Sequence, residues 1–257
     1  MLESPFIAAL IAALPARDWL APTTDELRVA VVLSAATLLY LVYHLAISRL
    51  FVTRLFRART TNDADLRTTT SFFRKAVGAF LFGLVPAVAL GLAWPGGLAA
   101  CGFSFTDAPR SLLYALGFIA LMVPLIASQA RKPSFRQHYP EVRRPFTRRV
   151  ATWNALAWVA YLVGYEFFFR GVLVIALAPL VGPLPALTLS LMAYVFVHLD
   201  RYAGETLGTL FTGSLFGVVA LVTGSILMPV VAHVGVALLT DHLAGHFAAR
   251  AGDPADG

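Results

Sequence analysis

Residues 164–174, GYEFFFRGVLV, place a carboxylate and a guanidinium in the most apolar part of the chain. Glu166 and Arg170 are four residues apart, so on an α-helix they share one face and lie within reach of each other. An ion pair at this spacing has two interpretations. It can neutralise both charges so that the helix enters a membrane, or Arg170 can orient Glu166 as a catalytic carboxylate.

The composition is typical of a polytopic membrane protein. Of the 257 residues, 58% are hydrophobic and 13% are charged, and the mean hydropathy is +0.74. Apolar runs long enough to cross a bilayer recur along the chain, which excludes a soluble enzyme with a signal peptide. We predict an all-α fold, a transmembrane bundle of about seven to eight helices that forms a single membrane domain over residues 1–257.

Seven apolar runs define the predicted spans, and a short opening stretch leaves the number open. Residues 4–22, SPFIAALIAALPARDWLAP, are closed by Pro15 and are interpreted as an interfacial or re-entrant helix, which becomes an eighth span if it crosses the membrane. The seven predicted spans are 28–52, 76–98, 111–127, 151–180, 183–199, 206–223 and 225–247.

Basic residues concentrate in two segments between these spans. Residues 53–75 hold six Arg and Lys against two Asp, and residues 128–150 hold seven against one Glu. Juxtamembrane cations favour the cytoplasmic side, so both segments are predicted to be cytoplasmic loops of an integral protein in a bacterial cytoplasmic membrane. The net charge of +6 then indicates contact with membrane lipids and no binding of nucleic acid.

Ionisable residues inside the last four spans are few and therefore informative. A charge at the bilayer centre costs at least about 2.5–3.5 kcal/mol on insertion scales, so such residues usually face a polar interior. His198 ends the run LSLMAYVFVHL and His233 lies inside a span. Each histidine alone is typical of a hydrogen bond between helices. Together with Glu166 they can activate water, stabilise an oxyanion or bind a divalent metal.

Asp241 and the phenylalanines around Glu166 each have two interpretations. Asp241 follows His233 by eight residues, about 80° around a helix, so it can orient the imidazole or mark the helix end. The run Phe167 to Phe169 can form a wall for a lipid-like substrate, although ordinary lipid-exposed helix surface is the simpler interpretation.

The motifs around these residues resemble the CAAX-prenyl-endopeptidase and bacteriocin-processing family of intramembrane peptidases, called CPBP or Abi. The family pattern is Glu-Glu-x-x-x-Arg, then Phe-x-x-x-His, then His-x-x-x-Asn or Asp. Residues 165–170 (YEFFFR), 194–198 (YVFVH) and 233–237 (HVGVA) follow it in order. The resemblance covers a conserved-type core at about residues 138–243.

Besides Tyr194, which stands for the phenylalanine of the second motif, two positions depart from the family pattern. Tyr165 replaces the first glutamate and Ala237 replaces the asparagine. Some bacterial members carry a single glutamate in this setting, with a further glutamate after the second motif and an aspartate near the end of the last helix. Glu205 and Asp241 match that variant, so Tyr165, Glu205 and Asp241 are candidate supporting residues.

The resemblance implies hydrolysis of a hydrophobic or lipidated, CAAX-like peptide. Glu166 would take a proton from water with help from His198, while His233 would hold the oxyanion and Arg170 would keep Glu166 ionised. The reaction would need either no cofactor or a divalent metal such as zinc bound by Glu166, His198 and His233. Cys101, the only cysteine, excludes a thiolate cluster.

Two other functions remain open at this point. Tyr165 and Ala237 also fit a pseudo-peptidase that acts as a membrane immunity or scaffold protein. Glu166, the histidines and Asp241 could instead form the proton relay of a small transporter. Convergence of Glu166, His198 and His233 around a cavity would favour the peptidase.

Overall fold

The computed structural model describes residues 22–142, 147–199 and 203–251, and these residues form helices and no β-strand. Residues 4–21 of the predicted opening helix lie outside them. The helices, in chain order, are α1 Thr24–Ala46, α2 Arg49–Phe56, α3 Asp63–Gly78, α4 Val85–Ala93, α5 Ala108–Ala130, α6 Pro133–Arg136, α7 Arg148–Glu166, α8 Ala178–Val181, α9 Pro183–Phe196, α10 Ala203–Thr223 and α11 Leu227–Ala251. Two π-helical segments continue α3 and α7, at Ala79–Leu84 and Phe167–Ala176.

The described residues contain six helical stretches that are long and apolar enough to cross a membrane, and a shorter apolar helix, α9. The predicted all-α transmembrane bundle is therefore confirmed, and the helix number agrees approximately. The stretches are Thr24–Ala46, Asp63–Ala93, Ala108–Ala130, Arg148–Val181, Gly204–Thr223 and Leu227–Ala251.

The prediction was wrong at the first basic segment, residues 53–75, which is mostly helical rather than a loop. The first span ends at Ala46, and Ser48 caps a new helix by accepting a hydrogen bond from the backbone of Phe51. Asn62 then caps α3, which continues without a break to Ala93. A long helix can include polar side chains where they face protein or water. The charged residues of this segment therefore did not mark the end of the helix. The cytoplasmic placement stays a prediction.

The stretch Arg148–Val181 forms the centre of the bundle. Of its apolar window 78% is buried, against 11–39% in the other long stretches. A Cβ at Gly164 would lie 2.8 Å from the backbone nitrogen of Gly83, so two helix backbones touch there without side chains between them. Lys75 and Asn154, which precede Gly83 and Gly164 on the same two helices, are also in contact. The two helices, α3 and α7, therefore run parallel.

The phenylalanines after Glu166 lie in the core, which corrects the expectation of a lipid-facing surface. Phe167, Phe168 and Phe169 are at most 2% exposed. Phe82, from the other π-helical segment, packs against Phe168 with ring centres 4.8 Å apart. A π-helix has i to i+5 bonds and changes which residues share a face, and nothing in the sequence signals it.

The connection between α4 and α5 packs against the second π-helical segment. A Cβ at Gly171 would lie 2.6 Å from the carbonyl oxygen of Cys101, so only glycine allows this close approach. Cys101 itself is fully buried, and burial raises the pKa of its thiol to about 11. The connection thereby helps to hold the helix that carries Glu166 and Arg170.

Candidate active site

Glu166 and His233 form a direct contact in the interior. Glu166 is the last residue of α7 and its side chain is fully buried, whereas the side chain of His233 on α11 is 21% exposed. Oε1 of Glu166 lies 2.5 Å from Nδ1 of His233. An ionised carboxylate can only accept, so Nδ1 donates its proton and Nε2 is the ring nitrogen that carries the lone pair.

Arg170 lies beside this pair and is also buried. Its Nη1 is 3.1 Å from Oε2 of Glu166, in an ion pair that lacks hydrogen-bond geometry. The guanidinium carbon lies 4.1 Å from the ring centre of Tyr194 and 5.5 Å from that of Phe216. Since arginine stays protonated in proteins, this cation favours the ionised form of Glu166, and the two rings add cation–π attraction.

A cavity of about 1200 Å³ reaches the site from one side. Tyr165, His198 and His233 line it, while Glu166 and Arg170 do not. The carboxylate therefore lies behind the imidazole of His233, which separates it from the cavity. A molecule in the cavity meets the histidine first.

The imidazole of His198 is held by a hydrogen bond to the backbone four residues earlier. It follows the end of α9, and its Nδ1 lies 2.8 Å from the carbonyl oxygen of Tyr194. Nδ1 is the donor in this bond, because a carbonyl oxygen can only accept. The imidazole ring centre is 6.3 Å from that of Tyr165 in an edge-to-face arrangement.

Tyr165 lies next to both histidines, and its hydroxyl group has no hydrogen-bond partner among the residues that the structure describes. The residue is 2% exposed, and its ring centre is 5.6 Å from that of His233 and 6.3 Å from that of His198. Its buried hydroxyl oxygen contacts no donor or acceptor. A buried hydroxyl without a partner costs about 1–3 kcal/mol, so its retention here marks a position where a ligand group can supply the missing bond.

Metal binding by Glu166, His198 and His233 stays a prediction. Within residues 22–142, 147–199 and 203–251, no group of three or more His, Cys, Asp or Glu side chains could hold a metal ion. Nδ1 of His233 faces the carboxylate of Glu166, and Nδ1 of His198 faces a backbone carbonyl. In both histidines Nε2 is therefore the ring nitrogen left for a further contact, and we derive no step through a metal.

The two remaining candidates, Glu205 and Asp241, lie away from Glu166. Oε2 of Glu205 accepts a hydrogen bond of 2.6 Å from the hydroxyl of Tyr139, at another part of the cavity wall. Asp241 accepts bonds from the side chains of Asn154 and Trp158, at 2.9 and 2.8 Å. Asp241 therefore does not orient His233, because its carboxylate accepts these bonds from α7 and Nδ1 of His233 contacts Glu166 instead.

Asp241 belongs to a buried polar network that the sequence analysis missed. Lys75 is 2% exposed, and its Nζ lies 2.6 Å from Oγ of Ser71 and 3.1 Å from Oε2 of Glu141. Nζ also lies 3.4 Å from Oδ1 of Asn154, which bonds to Asp241. The network joins α3, α7 and α11. The four-residue spacing of Ser71 and Lys75 could have indicated this network, but both residues lie in the segment that was interpreted as a loop.

These features define a class: an integral membrane protein whose helix bundle encloses a carboxylate–imidazole pair at the end of a cavity. Residues 148–239 match the family model described as Type II CAAX prenyl endopeptidase Rce1-like, so over this segment the chain is similar to that protease family. The match contains Glu166, His198 and His233 and confirms the family resemblance. No curated protein and no solved structure matches the chain.

Proposed function

We propose that this protein is an intramembrane endopeptidase that hydrolyses a hydrophobic or lipidated peptide. The observation that carries the proposal is the contact between the fully buried Glu166 and His233, with His233 on the cavity wall. A histidine backed by a carboxylate is a general base in many hydrolases, where the carboxylate orients the ring and stabilises its protonated form. The match of residues 148–239 to a protease family model supports the same activity.

His233 is the proton acceptor in the proposed reaction, instead of Glu166 as the sequence suggested. Nε2 of His233 takes a proton from water, and the resulting hydroxide bonds to the carbonyl carbon of the peptide. The tetrahedral intermediate then breaks its carbon–nitrogen bond, and His233 returns the proton to the leaving amine. Glu166, paired with Arg170, stays ionised and offsets the charge of the imidazolium.

The hydroxyl of Tyr165 is the proposed donor to the oxyanion. The ring of Tyr165 lies beside His233 and His198, the residue lines the cavity, and its buried hydroxyl has no hydrogen-bond partner in the described part of the chain. A donor already in place before reaction stabilises charge that develops only in the transition state. Tyrosine thus contributes a hydrogen bond where the family pattern has a carboxylate.

The cavity supports a lipidated substrate. Its volume of about 1200 Å³ exceeds the roughly 300–1000 Å³ of a typical small-molecule pocket. Apolar side chains from α5 and α7 form much of its wall, among them Phe118, Met122, Leu125, Ile126 and Leu162. Such a wall suits an alkyl or isoprenoid chain attached to a peptide.

Replacement of His233 by alanine tests the proposal. An S-farnesyl-cysteine peptide in proteoliposomes should be cleaved by the wild type, and the variant should lose about 10²- to 10⁴-fold in kcat because the base is gone. Mass spectrometry of the products measures this. His242→Ala is the matched control, because His242 is an exposed histidine on the same helix and does not line the cavity. Equal rates for the two variants would contradict the assignment.

Replacement of Tyr165 by phenylalanine removes only the hydroxyl. We expect kcat to fall by about 10²- to 10³-fold with little change in KM, as for loss of one oxyanion donor. Thermal stability should be unchanged or slightly higher, since the hydroxyl has no hydrogen bond to lose. Tyr114→Phe, at an exposed tyrosine on α5, provides the control. An unchanged kcat in Tyr165→Phe would exclude the donor role.

A non-catalytic membrane scaffold is the second candidate, and one observation favours it. Ala237 lines the cavity at the position where the family pattern has asparagine, so a polar group of the usual site is missing there. A scaffold would retain its cellular effect after His233→Ala, whereas a peptidase would lose it.

A further inference from the structure

Arg74 is a cation of the cavity wall that has no partner in the described part of the chain. It lies on α3, is partly buried, and lines both the main cavity and a small adjoining recess with Tyr43 and Trp158. Within residues 22–142, 147–199 and 203–251 its guanidinium makes no hydrogen bond and no ion pair. A cation withdrawn from water without an anion is unfavourable, so this position is suited to an anionic ligand.

The carboxylates that share the cavity wall are already engaged. Asp63 pairs with Arg57, and Glu205 accepts the hydroxyl of Tyr139. Glu141 shares the recess with Arg74, but its Oε2 is 3.1 Å from Nζ of Lys75, which offsets its charge. An anion that enters the cavity therefore meets Arg74 as a cation that no carboxylate of the described residues neutralises.

We propose that Arg74 binds the terminal carboxylate of the peptide substrate, an inference that rests on the proposed peptidase function. Planar guanidinium groups suit carboxylates because two parallel N–H groups can bond to both oxygens. The cavity would then hold the apolar part of the substrate along its wall, its scissile bond at His233 and its charged end at Arg74. Arg74 would determine which end of the peptide enters the cavity and how far that end enters.

The distance from Arg74 to the reacting groups indicates the length of peptide that fits. Gly83 touches Gly164, the residue before Tyr165, and α3 runs parallel to α7. The nine-residue offset from Arg74 to Gly83 corresponds to at most about 14 Å along the helix axis, because Ala79–Leu84 is π-helical and rises less per residue than an α-helix. An extended peptide covers about 3.3 Å per residue, so a carboxylate up to about four residues beyond the scissile bond reaches Arg74.

Two peptides that differ only in the charge at their end test this proposal. Both carry S-farnesyl-cysteine followed by three residues, and one ends in a carboxylate while the other ends in a carboxamide. In a maltoside detergent, which contains no phosphate, the wild type should favour the carboxylate about tenfold in kcat/KM, the size of one charge-assisted hydrogen bond. Arg74→Gln should reduce this preference to about twofold or less. Arg110→Gln, at an exposed arginine paired with Asp107, should leave it unchanged.

Binding measurements separate this proposal from the proposed catalytic function. Fluorescence anisotropy with the same peptides, made with a reduced scissile bond, reports the carboxylate preference without cleavage. If binding shows an Arg74-dependent preference but the intact peptide is not cleaved, the carboxylate site stands and the peptidase proposal falls. Equal binding of both peptides by the wild type would overturn the site. So would an Arg74-dependent affinity for phosphatidylglycerol vesicles without peptide discrimination, which would assign the anion to a lipid headgroup.

Discussion

Glu166→Gln is expected to abolish peptide cleavage and to destabilise the protein at the same time. Glutamine cannot offset the charge of a protonated His233, so kcat should fall by about 10²- to 10⁴-fold. The change also leaves Arg170, which is 1% exposed, without its anion. Removal of one partner of a buried ion pair costs about 3–5 kcal/mol, which should appear as a lower thermal unfolding temperature in detergent.

A double variant separates the two effects. In Glu166→Gln with Arg170→Met, no buried charge is left unpaired, and apolar replacement of a buried pair is often neutral for stability. The unfolding temperature should therefore recover most of its loss, while cleavage stays absent. If cleavage returns with stability, Glu166 only balances Arg170 and has no part in the reaction. If the single variant cleaves at the wild-type rate, the Glu166–His233 mechanism is wrong.

Lys75→Met is expected to have the largest effect on stability outside the active site. Lys75 connects Ser71, Glu141 and Asn154, and the last of these bonds to Asp241. Methionine fills a similar volume but removes the cation that lies 3.1 Å from Glu141 and donates to Ser71 and Asn154, so we expect a loss of about 3–5 kcal/mol in the free energy of unfolding. Chemical denaturation in detergent micelles, followed by tryptophan fluorescence, measures this loss.

An exposed lysine provides the control for that experiment. Lys132 lies at the protein surface and contacts the side chain of Gln129, so Lys132→Met should change stability by less than about 0.5 kcal/mol. Adding Glu141→Gln to Lys75→Met should restore part of the loss, because the carboxylate that faced Lys75 is removed as well. A Lys75→Met protein as stable as Lys132→Met would show that the network does not hold α3 to α7.

The helices and the main polar contact could be predicted because they depend on local spacing. Apolar runs of sufficient length give spans, and a four-residue interval puts Arg170 beside Glu166. The choice between His198 and His233 as the partner of Glu166 could not be predicted. That choice depends on which helices are neighbours and on how deeply each side chain is buried. The sequence pattern of a single helix gives no information on either.

The two incorrect predictions arose because the sequence pattern of a segment does not show which groups surround it. Residues 53–75 were assigned to a loop from their charge, but α3 places Lys75 inward against Asn154 and thereby satisfies it. Phe167 to Phe169 look lipid-exposed in a one-dimensional pattern, yet the π-helical segment and Phe82 enclose them. Hydrophobicity measures transfer out of water and does not separate a lipid environment from a protein interior.

The burial of Cys101 has a practical consequence for labelling. The thiolate is the form of cysteine that reacts, and a fully buried thiol with a pKa of about 11 forms almost none of it near neutral pH. Since the chain has no other cysteine, the natural protein already serves as an unreactive background. A cysteine introduced at either exposed end of α5 would be the sole target of a membrane-impermeant reagent, and the side from which it reacts would give the orientation of the bundle.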